Sequence, residues 1–583
     1  MPTLLKFQIS NFKFRNSKRL PLILLVIVAN VLGSLGLTAC GSDGSGPGPG
    51  TKPSDAIEVT LAYSSEKEPW IRPLAEQFNK ERHTLSGDKR PIWVTATVVD
   101  SGTARKQIVD GSLQPTVWSP SNSLWKSVLN AEADQELGGS GPGEADRLLL
   151  TPVVMAMWKP MAQALGWPDK PIGLRDVLAL NKNPQGWGAF GHPEWGPFKY
   201  AHTNPEVSST GLSTVTAEFY AGVNKTSGLT EADVNDSAVQ QFVKEIEQSI
   251  VHYSATTTIF KENVRKGGMS YISAVALEEV TVLELNKSGM DVPLAAIYPK
   301  EGTFLHDNPY IILKGKWVTE EQRNAAGVFK DYLLQADNQQ KALVLGFRPA
   351  NKDVSYRTEP FTIANGVDPA QPQTVLQVPS PRVLVGVKNA WSVLRKEANI
   401  MLVLDVSPSM DEDDKLQNAL AGLKIFLEQT RDVDKVGFVV FGGEAQVLVP
   451  IDTLSNTRSK IMQYVNDPGR LPRPQSTAVY DGAAAGLNEL DRLNDKEHIN
   501  AIVLLTDGED NASDPRNRSE VPRRLRANRD ALWAVKLFPI AYGSLGSEAK
   551  SLLQQFADDT QTRLVTGDVD NIRKIYDEMS NYF

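Results

Sequence analysis

Cysteine is almost missing from this chain: there is one, Cys40, in 583 residues. That excludes a disulfide framework and any zinc or iron–sulfur site built from several thiolates. Histidine is scarce as well. The six histidines (His83, His192, His202, His252, His306 and His498) include no i, i+4 pair, so their spacing points to no histidine metal site. There is no surplus of basic charge. Sixty-one Lys and Arg face 69 Asp and Glu, a net −8, without the basic footprint that nucleic-acid binding requires. G-x-S-x-G, H-E-x-x-H and Walker A patterns are missing too, and with them the common signatures of hydrolases, zinc proteases and NTPases. The expectation is a protein that is not an enzyme. What is present is ordinary globular composition, 41% hydrophobic and 22% charged, with length for several domains.

The N-terminus reads as an export signal. Residues 1–39 hold five basic residues (Lys6, Lys13, Arg15, Lys18, Arg19) and no acid, and an uncharged stretch runs from Leu20 to Leu37. An apolar stretch of that length also suits a permanent transmembrane anchor. The position of the lone cysteine separates the two readings. Leu37-Thr38-Ala39-Cys40 resembles the lipobox of bacterial lipoproteins, which implies cleavage before Cys40 and lipidation of its thiol. Residues 40–56, rich in Gly, Ser and Pro, then form a flexible tether. With the leader removed, 56 basic against 69 acidic residues leave −13. The expected location is extracytoplasmic, anchored to the cell membrane.

Residues 57–355 alternate strand and helix patterns. Ile57 to Ser65 is a β-branched run, Trp70, Ile71, Leu74, Ala75 and Phe78 share one helix face, and Pro91 to Gly102 and Pro115 to Ser121 are further strands. Such repeats build an α/β sheet with parallel strands, and ligands gather beyond the carboxyl ends of those strands. Those ends carry Ser64, Ser65, Ser101 and Ser119. Ser208 and Ser209 precede an apolar helix pattern that would present its N-terminus to a ligand. Hydroxyls and backbone N–H groups at one edge suit an anionic or polar solute. Nine of eleven tryptophans fall between Trp70 and Trp317; Trp118 and Trp195 sit in loop-like contexts where they would line a cleft. The order of motifs, with Leu148 to Pro160 as a crossover strand, Phe198 to Leu212 at a cleft and Gly346 to Asn351 at the end of a returning lobe, resembles the type II periplasmic solute-binding proteins of ABC importers. The resemblance implies a bilobal fold that holds a small polar solute.

Residues 356–396 form a junction, and the character then shifts. Asn399 to Met410 is a wholly apolar strand that ends in Asp405, Ser407 and Ser409, followed by a helix with Leu416, Ala419, Leu420, Leu423, Phe426 and Leu427 on one face. This D-x-S-x-S resembles the metal-ion-dependent adhesion site of the von Willebrand factor A domain, and the rest of that pattern comes in order: Thr477 before a helix, and Asp507 at the end of a second buried strand. The resemblance implies a Rossmann-like A domain over 397–583 and a Mg²⁺ or Mn²⁺ site. Ser407, Ser409 and Thr477 would bind the ion directly, and Asp405 and Asp507 largely through water. Hard divalent cations take oxygen ligands in an octahedron, and an under-neutralised ion leaves a position for an acidic group from a protein or matrix partner. Pro408 stands where the family usually has Gly, with φ held near about −65° and no N–H.

The sequence is thus expected to be α/β throughout, a bilobal solute-binding body followed by an A domain, and to act as a surface-anchored binding protein. The alternative is the substrate receptor of an ABC importer with an accessory A domain. The lipobox reading carries its own test. Cys40→Ser is expected to release the protein from membranes, as read by fractionation; a variant that stays in the membrane fraction makes Leu20 to Leu37 the anchor.

Overall fold

The computed structural model describes residues 51–133, 136–138 and 147–583. The leader 1–39, Cys40 and most of the tether lie outside the described residues, and the folded unit is Lys52–Phe583. Among the described residues no helix is long and apolar enough to cross a membrane.

The first lobe is built on a four-stranded sheet in the order Ile92–Val98, Ile57–Tyr63, Val117–Ser119, Ile311–Ile312, the first three strands parallel and the last antiparallel. Its helix Glu68–Glu81 buries Trp70, Ile71, Leu74, Ala75 and Phe78, the apolar face the 3.6-residue period specifies. The chain then crosses to a second lobe, whose six-stranded sheet centres on Leu149–Trp158. That strand is buried along nine of its ten positions because strands and helices cover both of its faces. Arg348–Pro349 pairs with it antiparallel, so the chain returns to the sheet it left. One expectation needs correcting. Trp118 does not line a cleft: it lies in the strand Val117–Ser119, 0% exposed, because alternate residues of that strand face helices on both sides. Trp195 is half-buried and stacks on His192 at 3.7 Å.

The segment 356–396 is laid against the second lobe along its length. Ala296 N donates to Gly366 O (2.7 Å), Thr303 N to Thr374 O (3.1 Å) and Leu376 N to Thr303 O (2.9 Å), while Tyr220 OH donates to Gln377 O at 2.8 Å. Ser380 caps the helix Pro381–Leu394, which buries Val383, Leu384, Val387 and Trp391. Trp391 packs edge-on to Tyr253 of the second lobe with ring centroids 5.3 Å apart.

The C-terminal body is a six-stranded sheet in the order Ala445–Thr453, Lys435–Phe441, Ala398–Asp405, Ile499–Thr506, Lys536–Tyr542, Val565–Gly567, parallel except for the first edge strand. Every residue of Ala398–Asp405 and of Ile499–Thr506 is buried. Alternation explains it: Ile400, Leu402 and Leu404 join the helices Lys415–Gln429, Leu454–Asn466 and Ile572–Ser580, while Met401 and Val403 join Val479–Leu493, Pro515–Ala527 and Ser547–Thr560. The first of these clusters runs on without a break into the second lobe, where His252 and Phe538 rings stand 6.1 Å apart and Phe538 and Tyr582 5.1 Å.

Three lysines are buried at this junction. Burial holds Lys199 down to about 8, Lys396 to about 8 and Lys536 to about 7; Lys199 further depresses Lys536 by repulsion. An unfolded lysine keeps its proton up to the ordinary value of 10.5, whereas folded Lys536 releases it near 7. The unfolded chain therefore binds more protons between those values, and stability rises with pH across that window. Lys536→Met is expected to flatten the rise in denaturation midpoint between pH 7 and 10, measured by urea titration; an unchanged slope refutes the assignment.

Candidate functional site

All parallel strands of the C-terminal sheet point their carboxyl ends one way, and the loops there bring together side chains far apart in sequence. Asp405 closes its strand and is fully buried. Its Oδ1 accepts from Ser407 N at 2.8 Å and its Oδ2 from Thr506 Oγ1 at 2.5 Å. Ser407 Oγ lies 3.2 Å from Ser409 Oγ, which donates to Asp507 Oδ1 at 2.7 Å. Thr477 reaches the same place from another loop: its Oγ1 is 3.3 Å from where a Cβ on Gly508 would stand, so a side chain at that position would crowd it. All five residues of the expected metal set therefore gather at one sheet edge. Pro408 opens the 3-10 turn Pro408–Asp414 as its first residue, where a missing N–H costs nothing. The acids after it are exposed. Asp413 and Asp414 take left-handed φ of 52° and 56°, and the helix begins only at Lys415.

The charge balance of these loops is acidic. Burial pushes the Asp405 carboxyl up to about 6, and the charge of Asp507 adds to that, against the lowering by its hydrogen bonds to Thr506 and Ser407. Two acids thus sit beside three hydroxyls with one cation among them, Lys415, whose Nζ donates to Asp507 Oδ2 at 2.8 Å and to Ser409 O at 3.2 Å. Burial lowers Lys415, but Asp507 outweighs it and leaves the ammonium held above its ordinary range. Sequence reasoning missed Lys415 and Thr506. It also missed the clamp that fixes the threonine loop: Asn511 Oδ1 accepts from Thr477 N, Asp510 Oδ1 from Val479 N and Ser513 Oγ from Tyr480 N, at 2.9, 2.9 and 3.0 Å. The run of polar residues after Asp507 was the available signal.

The second candidate lies between the two lobes. Ser64, Ser65, Ser101, Ser208 and Ser209 line one small cavity of about 30 Å³, room for one or two water molecules. Ser119 does not: it is fully buried in the sheet behind, where its carbonyl accepts from Ser64 N, and Ser121 takes the lining position. Ser209 Oγ donates to Ser101 Oγ across the lobes at 3.0 Å, and Gly102 N donates to Val207 O, also at 3.0 Å. The acids here were not anticipated. Glu66, Asp100 and Glu278 line the same cavity, and one oxygen of the buried Glu278 has no partner. Burial, then the charge of Glu66, pushes Asp100 up to about 6. Lys67, 0% exposed, is engaged by Ser64, Glu66 and Asn308 at 2.5, 2.8 and 3.0 Å. Three carboxylates against one committed ammonium give the cavity a negative character, which hydroxyl counts alone did not reveal.

Compared with known proteins, residues 59–348 match the family model of a bacterial extracellular solute-binding protein, and residues 399–578 that of a von Willebrand factor type A domain. Uncharacterized proteins from two strains of Mycobacterium tuberculosis are each 24% identical over 355 residues, covering 59% of this chain and 49% of their own length. The chain thus spans about half the length of the curated relatives it matches. A calcium-activated chloride channel regulator of Mus musculus is 31% identical over 128 residues, 21% of this chain and 13% of that protein. Among solved structures, a sulfate-binding protein from Mycobacterium tuberculosis aligns with TM-score 0.36 at 16% identity, covering 51% of this chain and 89% of its own. A von Willebrand factor type A protein from Catenulispora acidiphila aligns with TM-score 0.27 at 19% identity, covering 32% and 42%.

The contact between the lobes generates a test. A Cβ on Gly102 would stand 2.5 Å from Val207 Cα and 2.7 Å from two backbone oxygens, so the backbone itself must move. Gly102→Ala is expected to hold the lobes apart and to speed hydrogen exchange at the amides of Val207 to Thr210. Unchanged protection there would mean that the lobes do not depend on this approach.

Proposed function

The chain carries a bacterial extracellular solute-binding domain followed by a von Willebrand factor type A domain, and we propose that it is a membrane-anchored extracytoplasmic binding protein whose A domain grips a protein or matrix partner through a metal ion. The observation that carries the reading is the gathering of Asp405, Ser407, Ser409, Thr477 and Asp507 at one sheet edge, with a buried carboxyl that burial disfavours as an anion. This donor set is all oxygen, which suits Mg²⁺ or Mn²⁺. Ser407, Ser409 and Thr477 would hold the ion, and Asp405 and Asp507 would balance its charge. When bound, the ion supplies a coordination position for an acidic side chain of the partner. The chain's own residues do the rest. Thr506 and Ser407 N fix the Asp405 carboxylate, and the Asp510–Ser513 loop clamps Thr477. Lys415 withdraws part of the Asp507 charge, so the protein donors under-neutralise a dication and leave it attractive to an outside acid.

The solute-binding module takes a small polar ligand between its lobes, which must part to admit anything larger than the one or two waters the cavity holds. Carboxylates from Glu66, Asp100 and Glu278 favour a cation or a neutral polyhydroxyl compound over a fully ionised oxyanion. A second reading, the substrate receptor of an ABC importer with the A domain as accessory, is favoured by that cavity between two lobes.

Ligands that bind only the folded state raise the melting temperature. Mg²⁺ is expected to raise that of the full chain, and Asp405→Ala is expected to abolish the shift; a shift that persists in the variant sinks the metal assignment. In the same assay with metal-free buffer, the Asp405→Ala chain is expected to be stabilised by small polyols and left unmoved by sulfate or molybdate.

A further inference from the structure

The second lobe holds a buried polar cluster that neither site uses. His202 comes directly after the strand Tyr200–Ala201, Glu218 lies within the helix Ser209–Val223, and Glu247 ends the helix Ser237–Glu247. All three are 0% exposed, and one ligand atom from each lies within 4.8 Å of the other two. Their separation in sequence hides them from any reading of spacing.

The hydrogen bonds around the cluster orient its lone pairs inward. His202 Nδ1 stands 2.8 Å from the carbonyl of Thr203, which can only accept, so that nitrogen carries the proton. Nε2 stands 2.9 Å from Glu247 Oε1, a separation that needs a proton or a shared cation between the two atoms. The other oxygen of Glu247 is held from behind, accepting from Tyr253 OH at 2.5 Å and from Trp391 Nε1 at 3.3 Å. Glu218 has no such support: neither of its carboxylate oxygens has a hydrogen-bond partner, although both are buried. Buried carboxylates need a counter-charge or a proton.

We propose that His202 Nε2, Glu247 and Glu218 together bind a divalent transition-metal ion. One imidazole and two carboxylates suit Zn²⁺, and two negative charges match one dication. The surrounding bonds have the form metal ligands require: the imidazole donates its other N–H to a backbone carbonyl, and the carboxylate is fixed through its second oxygen. The site shares no residue with the Asp405 cluster and differs from it in having a nitrogen donor. With no ligand exposed, the ion enters as the chain folds. Its consequence falls on the junction. Tyr253 OH, which donates to Glu247, accepts from Lys396 N at 3.1 Å, and Lys396 leads into the first strand of the A domain. The ion would thus lock the second lobe to the start of that domain.

The test uses the full chain carrying Asp405→Ala, which removes the other metal site from the count. Expressed with Zn²⁺ in the medium and passed over a chelating resin, it is expected to retain one zinc per chain by mass spectrometry. Glu218→Gln and His202→Gln, each in the same background, are expected to retain none. Stripping the metal with phenanthroline in mild denaturant is expected to lower the melting temperature of the Asp405→Ala protein by several degrees and to leave Glu218→Gln unmoved. Should neither variant fold, zinc content and the stripping shift of the Asp405→Ala protein decide alone. Absence of bound zinc, or equal zinc in Glu218→Gln, overturns the proposal. A Glu218→Gln protein that is metal-free and at least as stable as a metal-free parent means that the two carboxyls share a proton instead, and overturns it too.

Discussion

A buried carboxylate stands at each end of the central strand Ala398–Asp405, and the pair sets the rest of the A domain in place. At the near end Asp434, 0% exposed, accepts from Ala398 N at 2.9 Å and from Arg431 Nε and Nη2 at 2.9 and 2.6 Å. Arg431 also donates to the carbonyls of Ser392, Arg395 and Lys396, so one guanidinium gathers the end of the linker helix and the start of the sheet. Charge-assisted bonds of this kind, shielded from water, are costly to break from one side. They fix where the strand begins. Because its register against Lys435–Phe441 and Ile499–Thr506 is continuous, they also fix where Asp405 emerges at the far end.

That arrangement explains why some features were legible in the sequence and others were not. Asp405, Ser407 and Ser409 are neighbours on one loop, and the apolar run before them identifies a buried strand. Thr477 and Asp507 obey the same logic, a polar residue where an apolar element ends. The helix face of Trp70, Ile71, Leu74, Ala75 and Phe78 is legible because periodicity is local. Contacts between distant segments are a different matter. Lys415 reads as one more surface lysine until the fold sets it against Asp507. Glu66, Asp100 and Glu278 come from three elements of two lobes, and their shared cavity exists only once the lobes meet. Ser119 and Trp118 mislead for a related reason: the strand Val117–Ser119 lies between two apolar layers, and only the assembled fold keeps its last residues inside them instead of at the cleft.

The two bodies are joined by the end of the chain. The helix Ile572–Ser580 packs on Lys415–Gln429, the helix that leaves the Asp405 loop, with Phe426 and Tyr576 rings 6.4 Å apart. Its last residues then reach back to the second lobe. Asn204 Nδ2 donates to Asn581 Oδ1 at 3.1 Å, and Tyr253 N donates to Tyr582 O at 3.1 Å. Asn204 belongs to the loop that carries Val207 and Ser208 into the cavity between the lobes, so the C-terminal segment touches both the helix that leaves the Asp405 loop and the loop that lines the cavity.

The linker 356–396 has a mechanical meaning. A loose connection would let the A domain swing, and the solute-binding body would then sample every orientation around whatever the A domain held. Here the linker is hydrogen-bonded to the second lobe at Gly366, Thr374, Leu376 and Gln377 and ends in a helix that buries Trp391. Such a connection behaves as a bracket. A partner held at the Asp405 edge would find the solute cavity presented at one constant bearing, and any pull on that partner would be borne by the lobe rather than taken up as slack.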